Sequence, residues 1–193
     1  MIKETYENDP DKAIQFNSSK SMTGQKPELH IQYVVGEYLS YGYDTNSIPI
    51  SYANYGTVWN RAIQKSINSW NTSNANVSFN KTTSEWNRIL VLNKEGTAYF
   101  GRMCMEWPSF GSKLRRFRIE LSSNSIIGAD EHDGSFNLEN FIQSVLCHEL
   151  GHTVWLNDNP STMQASIMKY TRDRNSMVRP AAFDISNVSK KYK

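Results

Sequence analysis

No stretch of the sequence approaches the ~20 consecutive apolar residues that a bilayer crossing requires, so no membrane span is expected. Cysteine is scarce. Cys104 and Cys147 allow at most one intramolecular disulfide, which leaves the redox compartment open. Excess charge of one sign is also missing, since 21 basic residues face 19 acidic ones for a net charge of +2. That balance argues against nucleic acid or an anionic membrane as the partner. The basic run Lys113-Leu114-Arg115-Arg116-Phe117-Arg118 reads as a solvated strand face rather than a polyanion site. Residues 1–26 lack the apolar core of a signal peptide, so an exported protein would have its leader outside this chain.

What is present suffices for one globular domain of ordinary size. Of the 193 residues, 38% are hydrophobic and 12% aromatic, too many for a disordered chain. Residues 1–26 are polar, with a Pro-Asp turn and a Ser-rich stretch, and read as an N-terminal arm, either a pro-segment or a linker. The domain is expected over residues 27–193. Ile31 to Val35, Ile48 to Tyr52, Val77 to Phe79, Ile89 to Leu92, Thr97 to Phe100 and Phe117 to Leu121 are strand candidates. In the last, Phe117, Ile119 and Leu121 alternate with Arg118 and Glu120, as in a sheet with one wet face.

Two long helices are predicted. Val58, Trp59, Ala62, Ile63, Ile67 and Trp70 recur at helical spacing over about 57 to 71, with Thr57 as the cap. A second helix runs from about Leu138 to Thr153, capped by Asn137, with Glu139 complementing the dipole in its first turn. Beyond Pro160 the chain reads as irregular until a short helix near Ala181 to Lys190, begun by Pro180. The plan is α+β, with a small mixed twisted sheet and a loop-rich C-terminal part that ends in a helix.

The second helix carries His148-Glu149-Leu150-Gly151-His152. Residues four apart share a helix face, so both imidazoles can bind one metal ion, with zinc the expected one. Glu149 lies one position along, placed to act on water beside the metal as a general base. A catalytic zinc usually has three protein ligands and one open position. After His152 the sequence holds no further His, Glu or Cys, and the remaining acids are Asp158, Asp173 and Asp184. His30 and His132 lie upstream. On a continuing helix Asp158 would sit about 240° around from His152, so the helix must break for it to ligate. Leu156-Asn157-Asp158-Asn159-Pro160 is suited to such a break, which makes Asp158 the favoured third ligand. Its plainer reading is a turn aspartate that caps backbone N–H groups.

The stretch from His148 to Asp158 resembles the zinc signature of the metzincin peptidases, His-Glu-x-x-His-x-x-Gly-x-x-His. An aspartate in the last position is similar to the snapalysins. Ser166-Ile167-Met168-Lys169-Tyr170 resembles the Met-turn in the form found in astacins and serralysins. The resemblance implies a zincin-like fold of matrixin type and a zinc endopeptidase that binds one catalytic Zn2+. It implies that Met168 floors the metal site, and that Tyr170 is an extra ligand or a hydroxyl donor to the developing oxyanion. It further implies that an edge strand near Thr97 to Met103 pairs with extended peptide substrate. Such a protein would be secreted or at the cell surface, and monomeric.

In one place the sequence departs from the family, with Trp155 standing where the glycine is expected. A tryptophan at positive φ would cost roughly 1–2 kcal/mol, so the expectation is a negative φ at Trp155 with the turn moved to Asn157, or a different local path. Asp130-Glu131-His132-Asp133 is a candidate for a structural Ca2+ or zinc, weighed against a solvated loop, which its lack of ion-loop spacing favours. The alternatives to an endopeptidase are a zinc hydrolase of a non-peptide bond and a degenerate, non-catalytic binding module.

Overall fold

The computed structural model describes residues 38–84, 86–106, 113–129, 136–159 and 161–193. The N-terminal arm, the strand expected at Ile31 to Val35, the Asp130–Asp133 cluster and Pro160 lie outside the described residues. The elements are β1 (Gly42–Tyr43), β2 (Ser47–Tyr52), α1 (Thr57–Asn71), β3 (Ser78–Lys81), β4 (Arg88–Leu92), β5 (Gly101–Met105), β6 (Lys113–Leu114), β7 (Phe117–Ser122), α2 (Ser123–Gly128), α3 (Leu138–Thr153) and α4 (Ala182–Lys191). The main sheet has five strands in the order β3-β2-β4-β7-β5. Its first four are parallel and β5 runs antiparallel to β7. The architecture is mixed α+β. No helix among the described residues is long and apolar enough to cross a membrane.

Helices α1 and α3 lie side by side against the sheet, α1 over β3 and α3 over β7 and β5. Ile48, Ile50, Ile89, Phe117, Ile119 and Leu121 from the strands meet Ile63, Trp70, Ile142 and Leu146 from the helices in a fully buried core. Polar ties fix the register of the two helices. The Trp70 indole N–H donates to the Cys147 carbonyl at 3.0 Å, and the Ser66 hydroxyl donates to the Gln143 carbonyl at 3.1 Å. Arg61 and Lys65 of α1 pair with Glu139 in the first turn of α3. Both cysteines are free, and burial pushes the Cys147 thiol well up, as a packing residue requires.

Three expectations need correction. Helix α1 is not capped by Thr57. Its N-cap is Gly56 at φ 91, a conformation that suits glycine, and the Asn54 side chain holds Gly56 N–H and the Asn60 amide instead. Residues 97–100 are not a strand, because the Thr97 hydroxyl lies 2.6 Å from the Ser122 hydroxyl and 2.9 Å from that of Ser125. Those contacts bind Thr97 to the start of α2, and the edge strand begins only at Gly101. The outer face of β7 is not wet either. Glu120 is buried against Arg102 at 2.7 Å and Arg118 at 2.6 Å, and Glu106 meets Arg88, Arg116 and Arg118 at 2.8, 2.9 and 3.0 Å. Burial raises the pKa values of these two carboxylates, but Arg116 and Arg118 of the basic run, with Arg88 and Arg102, hold them below the usual range.

Candidate metal centre

Helix α3 spans Leu138–Thr153, and the Asn137 side chain caps it by accepting from Asn140 N–H at 3.0 Å. His148 and His152 therefore sit four residues apart on one face near its C-terminal end. Their rings meet edge to face with centroids 4.7 Å apart. Each ring is aimed by its far nitrogen. His148 Nδ1 is 3.0 Å from the Ile167 carbonyl, and His152 Nδ1 is 2.9 Å from the Leu156 carbonyl. A carbonyl can only accept, so both Nδ1 atoms carry the proton and both Nε2 atoms present a lone pair. Burial and the neighbouring His148 depress the pKa of His152, which keeps that ring neutral.

Asp158 completes the cluster. Its Oδ1 lies 3.1 Å from His148 Nε2 and 3.6 Å from His152 Nε2, while the two Nε2 atoms are 3.2 Å apart. These sides resemble the edges of a zinc tetrahedron, about 3.3 Å for metal–ligand distances of about 2.0–2.1 Å. The Asp158 Oδ1 is buried without a hydrogen-bond partner. Three lone pairs thus face one another with no proton among them, a costly arrangement that a cation resolves. The donor set fits a divalent metal ion, and the three residues form a group able to hold one.

Glu149 stands beside this triangle, 5% exposed. Burial lifts its pKa to about 7, with Asp158 adding to the rise, while His152, Arg172 and the Met103 N–H oppose it. A carboxylate poised near neutrality suits a general base. Edge strand β5 passes directly over it, since a Cβ on Gly101 would fall 3.1 Å from Glu149 Oε1 and 2.6 Å from Val145 Cγ1. Glycine is what allows that approach.

Met168 is 1% exposed. Its Sδ would lie 2.7 Å from a Cβ on Gly151, so the glycine of the helical motif makes room for the sulfur. Tyr170 is half-exposed and lies beside Asp158. Burial, then the Asp158 carboxylate, raises its pKa to about 12. The sequence reading missed how the turn is held. Asp184 accepts from the Ser166 hydroxyl at 2.5 Å, Ile167 N–H at 2.8 Å and Ala181 N–H at 2.8 Å. Asp184, weighed from sequence only as a ligand, therefore clamps the turn whose Ile167 carbonyl orients His148. The signal that could have found it is an acid at the third position of a predicted helix. Arg172 was also missed. Its buried guanidinium donates to Ser144 on α3 and to the Lys169 carbonyl.

Trp155 departs from both sequence expectations. It takes φ 78 itself, and the turn stays in place. Leu156 N–H donates back to the Gly151 carbonyl at 3.1 Å, the bond that closes a helix through a left-handed residue usually filled by glycine. That reversal carries the chain off the helix axis and brings Asp158 to the histidines.

The fold and the cluster define a mixed α+β protein with a site able to bind metal. No family model matches the chain, and no curated protein matches it at a significant level. Among solved structures, a chain of the GM1-bound form of the ECX AB5 holotoxin matches with a TM-score of 0.51 at 12% identity, over 79% of this chain and 83% of that one. At that identity the likeness is one of fold alone. Two structures of myroilysin match with TM-scores of 0.48 and 0.45 at 14% and 15% identity, over 79% of this chain and 96% and 86% of theirs.

Proposed function

We propose that the chain is a zinc-dependent endopeptidase. The observation that carries this reading is the triangle of lone pairs from His148, His152 and Asp158, with Glu149 buried at its side. The three ligands would hold the ion and leave a position open, as hydrolytic rather than structural sites do. A bound zinc supplies Lewis acidity, polarising a carbonyl and acidifying water. Glu149 accepts the proton of the attacking water and returns it to the leaving amine, a role its raised pKa suits. Tyr170, beside Asp158, donates a hydrogen bond from its hydroxyl to the developing oxyanion in this reading. Strand β5 ends the sheet, and its outer edge offers backbone groups to an extended peptide beside Glu149.

The test is digestion of a peptide mixture with product mapping by mass spectrometry, with and without a chelator. Cleavage of internal peptide bonds that stops on chelation and returns with zinc is the expected result. Absence of cleavage from a zinc-loaded protein contradicts the reading and turns attention to a non-peptide bond or a binding module.

A further inference from the structure

Trp155 at φ 78 is a strained residue, because the left-handed conformation costs a residue with a Cβ roughly 1–2 kcal/mol. The contacts that hold it there all come from distant parts of the chain. The indole fills the space over Gly42 in β1, where a Cβ would fall 2.4 Å from Cγ, Cδ1 and Cδ2 of the ring. Lys191, the last residue of α4, places Nζ 5.0 Å from the ring centroid. Tyr192, the next residue, lies beside the indole and donates its hydroxyl to the Tyr43 carbonyl at 2.8 Å. Leu39 N–H donates to the Trp155 carbonyl at 2.7 Å.

None of these groups belongs to the metal cluster. Yet Trp155 lies between two ligands, and the next residue supplies the carbonyl that receives His152 Nδ1–H at 2.9 Å. Two residues beyond that stands Asp158. Fixing residues 155 and 156 therefore fixes the orientation of one ligand and the approach of another.

We propose that Trp155 is a positioning residue for the metal centre, through which the seating of β1 and of Lys191-Tyr192 on the indole sets metal affinity. This rests on the reading of His148, His152 and Asp158 as a metal site. Strain and clamp predict opposite signs for one substitution. Glycine adopts φ 78 freely, so if strain dominates, Trp155→Gly tightens the site. If the clamp dominates, it loosens it.

The experiment titrates the full chain with Co(II), followed by its visible absorption bands, and then with Zn(II) in competition with a chelator. Each variant is measured below its own melting temperature. Trp155→Gly is expected to weaken zinc binding about tenfold or more, in the range found for groups that orient metal ligands, and to change the cobalt bands. Trp155→Phe keeps a ring on Gly42 and recovers most of the affinity. Gly42→Ala, which pushes a methyl into the indole, also weakens binding, but has no further effect when combined with Trp155→Gly. Should Trp155→Gly fail to fold, Gly42→Ala and Trp155→Phe carry the test alone. Zinc affinity in Trp155→Gly equal to or above that of the wild type overturns the proposal, as does a Gly42→Ala effect that is the same in both backgrounds. A wild-type chain that binds neither ion removes the metal reading and this inference with it.

Discussion

Helix α3 and the segment 154–170 deliver parts of one centre by different physics. The helix places His148, Glu149 and His152 by its period alone, on a scaffold buried from Phe141 to Leu150. Among its described residues the segment has no helix or strand, and it places Asp158, Met168 and Tyr170 through long-range ties: Asp184 on the turn, Arg172 on Ser144, and the groups around Trp155. A local rule thus fixes two residues of the candidate metal cluster, and the third depends on ties to distant parts of the chain. The two halves meet where the carbonyls of Leu156 and Ile167, both in the segment, aim the two helical imidazoles.

Substitutions separate the halves most sharply at the ligands themselves. His148→Ala and His152→Ala are expected to weaken zinc binding by more than about 100-fold, since each removes a preset donor. Asp158→Ala removes a donor that is less firmly preset, and its expected loss is smaller, about 10–100-fold. Isothermal titration of the three variants gives the ranking, and equal losses would erase the distinction.

A smaller effect is expected from loosening the segment without touching a ligand. Asp184→Ala strips the acceptor from Ser166, Ile167 N–H and Ala181 N–H in a buried setting. Orphaned buried donors cost about 1–3 kcal/mol each, so thermal unfolding should show a loss of about 3 kcal/mol or more. The helix content of α1 and α3 should survive in the variant by circular dichroism, while zinc affinity falls. An unchanged melting temperature would remove Asp184 from the account.

The smallest predicted effect lies away from the centre, on the outer face of β7. Glu106 and Glu120 have folded-state pKa values below the ordinary carboxylate range, because their arginine partners outweigh burial. A depressed folded pKa contributes stability that is fully present above the unfolded value of about 4.3 and is lost as pH falls through the folded value. Melting temperatures taken from pH 7 down to pH 3 should therefore drop mainly below about pH 4.5. Glu106→Gln should flatten that drop, and an unaltered profile would show that the cluster does not govern acid stability.

The same division explains what could be read in advance. Helices α1 and α3 and the cap at Asn137 follow from local periodicity and capping chemistry, and the structure places them where the residues indicate. Asp158 was reached by elimination because the sequence past His152 offers few other donors. The conformation of Trp155 was not legible, since its intrinsic preference opposes φ 78 and the groups that override it lie at Gly42, Lys191 and Tyr192. Thr97 looked like a strand residue because its hydroxyl partners, Ser122 and Ser125, are more than 20 positions away. Glu120 looked solvated because alternation cannot show that Arg102 and Arg118 close over it.

The central proposal is that Glu149 supplies the proton transfer while His148, His152 and Asp158 hold the metal. Cleavage of a mapped peptide substrate by the wild type and by Glu149→Gln, with zinc content measured in the same samples, tests it most directly. The account predicts one zinc per chain in both proteins and a loss of about 10²–10⁴-fold in turnover for the variant. Cleavage by zinc-loaded Glu149→Gln at close to the wild-type rate would contradict it.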